Sequence, residues 1–101
     1  MDQLAAAFFA GAFLFNAIPH LVRGICGKRH MTPFNVSSGP ATNVVWAWIN
    51  LAAGGVIWKS FVHGTPTLSI WVAMGIGGFI TSLGLAIFWT NPKARLPWHK
   101  G

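Results

Sequence analysis

The polar side chains whose types and spacing could do chemistry lie between residues 16 and 50. Asn16 and His20 are four apart, so on a helix they share a face. Asn43, Trp46 and Asn50 are spaced three and then four, again one helical face, and Gly54 continues it. Such a set can bond one helix to another, or it can line a small site for a ligand or a lipid head group. Haem on His20 would need a second histidine at matching depth. His63 falls at the opposite end, and His30 and His99 lie outside the apolar segments. His20, Cys26 and His30 match no standard zinc spacing, so neither a metal nor a cofactor is expected. Gly24-x-x-Gly27-Lys28 lacks the strand, the full spacing and the Ser/Thr of a phosphate loop. Cys26 is alone, which excludes a disulfide framework and a Cys-x-x-Cys site. It reads as an inert thiol, with acylation as the alternative.

The scarcity of carboxylates excludes more. Asp2 is the one acidic residue, against seven Lys and Arg. Paired-acid glycoside hydrolysis needs two carboxyl groups, and a Ser-His-Asp triad needs a buried one. Small proton-coupled transporters use an acid within the membrane, whereas Asp2 precedes every apolar segment. The expected reading is therefore not an enzyme.

The elements that must position these residues are membrane helices. Hydrophobic residues make up 53% of the chain and charged residues 8%, too few charges to cover a small soluble domain. The basic residues flank apolar segments rather than forming a stripe, which argues for lipid and against nucleic acid. The sequence predicts an all-α integral membrane protein, a single domain over 1–101. Its three transmembrane helices are expected at about 4–22, 43–62 and 68–89, with a cytoplasmic loop at 23–42 and a basic tail at 91–101. Each helix can cross ~30 Å of hydrocarbon at ~1.5 Å per residue. The first is not a signal peptide, because no Lys or Arg precedes it and no convincing cleavage site follows. Asp2 can cap it. Thr42 or Asn43 can cap the second, and Thr65 before Pro66 the third. Gly64 suits a stop between two antiparallel neighbours. Arg23, Lys28, Arg29, Lys93, Arg95 and Lys100 share one side and Lys59 holds the other, which sets the N-terminus outside and the C-terminus in the cytoplasm. The same residues, Arg23, Lys28, Arg29, Lys93 and Arg95, can attract anionic lipid.

Depth can be counted along the helices. Asn16 lies seven residues inward from Arg23, and Asn50 seven inward from Asn43, so both sit ~10 Å from the cytoplasmic end. Asn16 is expected to face Asn50, and His20 to face Trp46, with Thr81 and Ser82 at comparable depth on the third helix. This is a polar layer. Pro19 leaves the Phe15 carbonyl without its helical donor nearby. Ala73, Gly77 and Thr81 repeat every fourth residue, as do Met74, Gly78 and Ser82, forming small-residue ridges for close helix packing in lipid.

Asn16-Ala-Ile-Pro19-His20, Thr32-Pro33-Phe34, Ser37-Ser38 and Asn43-Val-Val-Trp46-Ala-Trp48-Ile-Asn50 together resemble small uncharacterised bacterial inner-membrane proteins that carry the same order of motifs. The resemblance covers about a third of the chain and excludes the third helix. It implies a multi-pass protein of the bacterial inner membrane and transfers no activity. The expected function is a small accessory or structural subunit of a membrane assembly. Association with copies of itself or with a larger complex is expected, through the glycine-rich face of the third helix. The alternatives are an oligomeric transporter or channel component lined by Asn16, Asn50 and Thr81, and a membrane enzyme or cofactor binder using His20.

Overall fold

The computed structural model describes residues 1–99; Lys100 of the basic tail lies outside the described residues. Three helices carry the fold: α1 (Gln3–Ile25), α2 (Pro40–Phe61) and α3 (Leu68–Trp89). All three are long and apolar enough to cross a membrane. Two short strands, β1 (His30–Thr32) and β2 (Asn35–Ser38), lie between α1 and α2.

The apolar residues are distributed for a lipid solvent. The buried ones are mostly small: Ala6, Ala7, Ala10, Ala17 and Ala47. Large residues such as Phe9 and Ile18 on α1, Val45 and Val56 on α2, and Phe79 and Ile87 on α3 face outward. Water would penalise that exposure, whereas lipid does not, and small residues let helix backbones approach closely.

The helix α1 is the central one. An added Cβ at Gly11 would overlap the Met74 carbonyl, and one at Gly77 the Phe8 carbonyl. At Gly78 it would meet the Phe15 ring, and at Gly54 it would lie 3.0 Å from the Ala10 carbonyl oxygen. The glycine-rich face of α3, expected to receive another molecule, is thus occupied by α1 of the same chain. The short link after α2 suggested that α2 and α3 are neighbours. They pack on α1 instead, because the small residues of both turn toward it. Near the link α2 and α3 do meet, where Trp58 and Trp71 lie 5.1 Å apart and Val62 and Ile70 pack on Ala6 and Ala7.

Several boundaries move. Asp2 caps α1 as expected, its Oδ1 accepting from the Ala5 N–H at 2.8 Å, but α1 runs on to Ile25 rather than ending at Val22. The segment 23–42 is not a plain loop, and the fold is not purely helical. Pro33-Phe34 turns the chain so that His30 pairs with Ser38 and Thr32 with Asn35. The hydroxyls of Thr32 and Ser38 bond at 2.6 Å inside this hairpin. Arg23 Nε donates to the Arg29 carbonyl at 2.9 Å, and Arg29 Nε to the Ser37 carbonyl at 3.2 Å, so two of the basic residues also brace the hairpin. Gly39 caps α2 and Pro40 opens it, which places Asn43 inside the first turn rather than at the cap. Thr67, not Thr65, precedes α3; α2 ends at the extended Val62 rather than at Gly64, which takes its left-handed conformation (φ +66°) two residues later in the link.

Candidate functional site

The site is assembled around three carboxamides. Starting the helix at Pro40 directs the Asn43 side chain back at the hairpin. Its Nδ2 donates to the carbonyls of His30, Ser38 and Gly39, each at 3.0 Å. Carbonyls only accept, so the amide orientation is fixed and Oδ1 must be an acceptor. That oxygen lies 2.8 Å from His20 Nδ1. His20 therefore donates from Nδ1, and in the uncharged ring Nε2 keeps a bare lone pair. No described residue bonds Nε2, and no buried side-chain N or O among them lacks a partner, so Nε2 is reached from open space. The other two carboxamides pair deeper along the helices. Asn16 Nδ2 donates to Asn50 Oδ1 at 3.0 Å, and Asn50 Nδ2 donates to the Trp46 carbonyl at 2.9 Å.

Asn16, Pro19 and His20 form one wall of a cleft of about 300 Å³. Trp46, the hairpin residues His30 to Pro33, and Leu85, Phe88 and Trp89 of α3 form the others. The tail closes one side through Leu96 and Trp98. Trp98 Nε1 donates to the Pro33 carbonyl at 2.8 Å, and His99 Nε2 to the Thr32 carbonyl at 2.8 Å. His99 Nδ1 accepts from the Leu96 N–H at 3.2 Å. The His30 ring lies edge-on to His20, centroids 5.2 Å apart, and 4.6 Å from Trp89. Burial, helped by the neighbouring His20 and Arg23, holds the His30 pKa down at about 4. His30 is thus an uncharged wall of the cleft near neutral pH.

No protein family model, curated protein or solved structure matches the chain.

Of the residues singled out in the sequence, Asn16 meets Asn50, while His20 meets Asn43 rather than Trp46. Trp46 borders the same cleft and stacks edge-on with Phe34 at 5.5 Å. Thr81 lines a second, shallower groove with Phe9, Ala12, Phe13 and Asn16. Ser82 turns back on its own helix, donating to the Gly78 carbonyl at 2.8 Å, and joins no layer. Ala73 is half-buried beside the Ala6–Val62 cluster, and Gly54, Gly77 and Gly78 are buried against α1. Arg23, Lys28, Arg29, Lys93 and Arg95 are exposed. The structure adds His30, Thr32, Trp89 and Trp98 to the cleft. His30 lies outside the spans, yet the hairpin folds it back over His20. A short polar-apolar run broken by Pro33-Phe34-Asn35 was the available signal for that hairpin.

Proposed function

We propose that the chain is a small accessory or structural subunit of a bacterial inner-membrane assembly, with its N-terminus outside and the hairpin and tail in the cytoplasm. The observation that supports this reading is that most of the polar side chains singled out in the sequence, His20 Nε2 apart, are used within the chain. Asn43 and Asn50 bond backbone carbonyls, the hairpin hydroxyls bond each other, and the sole acid caps a helix. A hydrolytic or proton-transfer centre needs an acid, base or nucleophile held free for substrate, and within the cleft His20 Nε2 stands without a carboxylate or a free hydroxyl beside it to work with. Meanwhile the outward faces of α2 and α3 carry large apolar side chains that a partner helix or lipid can cover. Native mass spectrometry on protein released gently in membrane discs tests it. A mass that includes another polypeptide is the expected result. Copies of this chain alone would favour the transporter or channel alternative, and a lone monomer with lipid would sink the subunit reading. Expected partners in either case are the bilayer and its anionic lipids.

A ligand-binding role for His20 is the second reading. It is favoured by one observation: the open Nε2 at the wall of the cleft.

A further inference from the structure

His20 is 93% buried by its relative exposure of 7%, yet its Nε2 has no protein partner among the described residues. Nε2 itself is accessible from the cleft, so a donor that enters can reach this acceptor within an otherwise buried side chain. The space it faces has flat walls. Trp46, Phe88, Trp89 and His30 surround the space, and aromatic faces favour a ring laid against them. The volume of about 300 Å³ exceeds the ~150 Å³ cavity that holds benzene, so a substituted ring fits. Asn16 borders both this cleft and the groove of Phe9, Ala12, Phe13 and Thr81. That groove runs along α1 toward Phe9, ~16 Å from His20 at helical rise. Its lining is mostly apolar, as an aliphatic chain requires.

We propose that the cleft binds the ring of an uncharged phenolic or quinol amphiphile, its hydroxyl donating to His20 Nε2 and its tail lying in the Phe9–Phe13 groove. A cationic head group finds no acid here, because Asp2 sits at the far end of α1. An anionic one would face the Nε2 lone pair. Burial keeps the neighbouring His30 uncharged, so it adds no cation near neutral pH to draw an anion in. The proposal rests on the second reading above, that His20 binds a ligand, and does not depend on the subunit assignment.

The test is nitrogen NMR on protein with isotope-labelled histidine in phospholipid discs, titrated with a decyl-chain benzoquinol. An imidazole nitrogen with a bare lone pair resonates far from one that accepts a hydrogen bond. The His20 Nε2 signal is expected to shift saturably, while Nδ1–H, held by Asn43, stays in place. The dimethyl ether of the same quinol keeps the shape and loses the donor, and should bind ~10-fold more weakly. Trp89→Leu removes one wall without touching a hydrogen bond and should weaken the quinol ~10-fold as well. Equal affinity for the ether, or for a saturated-ring diol with the same tail, would overturn the ligand class while leaving His20 a binder. No shift with any of the three would overturn the ligand-binding reading itself.

Discussion

Replacing Asn43 by alanine would leave the His20 Nδ1–H without its partner and take the side-chain amide from the His30 and Ser38 carbonyls, while the Gly39 carbonyl keeps the backbone N–H of residue 43. Buried groups stranded in this way cost about 1–3 kcal/mol each in the worst case, so a total loss of about 2–4 kcal/mol is expected. Asn16→Ala removes one half-buried interhelical bond and should cost only ~0.6 kcal/mol. Titration with SDS in mixed micelles, followed by circular dichroism, would separate the two. His30 adds a pH dependence. Its folded pKa of about 4 lies below its ordinary value of 6.5, so between those values the unfolded chain binds more protons. Stability should be full above pH 6.5, fall as the pH drops toward 4, and level off below. His30→Phe should flatten that slope in the same titration. The Asn16–Asn50 pair was legible in the sequence because equal counts along two regular helices give equal depths. The His20–Asn43 pair was not, since it depends on a helix start three residues earlier, set by Gly39-Pro40.

At the scale of elements, the glycines divide by what they face. Gly77 abuts the α1 backbone at Phe8, whereas Gly75 has no neighbour within 4 Å of an added Cβ. Gly77→Leu should therefore push α3 off α1 and destabilise the fold by about 3 kcal/mol or more, since two backbones rather than flexible side chains must part. Gly75→Ala should stabilise by up to ~1 kcal/mol, the helix-propensity difference. Equal effects of the two, in the same SDS titration, would contradict this packing. The four-residue ridges on α3 were visible in the sequence, but a ridge states only that something approaches closely. Which element approaches is recorded in α1, where Ala6 and Ala10, and Ala7 and Gly11, repeat at the same spacing. The hairpin had weaker local signals. Its stability comes from bonds to Arg23 and Asn43 on the flanking helices and to the tail, none of them within the hairpin's own run.

The whole molecule measures 45 Å along its axis, which matches the ~40–45 Å of a bilayer with its head groups. One end gathers Arg23, Lys28 and Arg29 with the tail that carries Lys93 and Arg95. Bonds from Trp98 and His99 to the hairpin hold that tail in place. The other end joins Gln3 to His63, through its N–H at 3.0 Å, with Lys59 nearby in sequence. A bilayer that sorts ends by positive charge should therefore keep the hairpin end in the cytoplasm. Cys26 reports on this directly, because it is exposed, sits at that end and is the only cysteine in the chain. A membrane-impermeant maleimide should label it in inverted inner-membrane vesicles and leave it untouched in intact spheroplasts. Neutralising Arg23, Lys28 and Arg29 together should bring labelling to the spheroplasts, by letting part of the population insert the other way. Labelling of the unaltered chain in intact spheroplasts would reverse the orientation and place the cleft on the outer face.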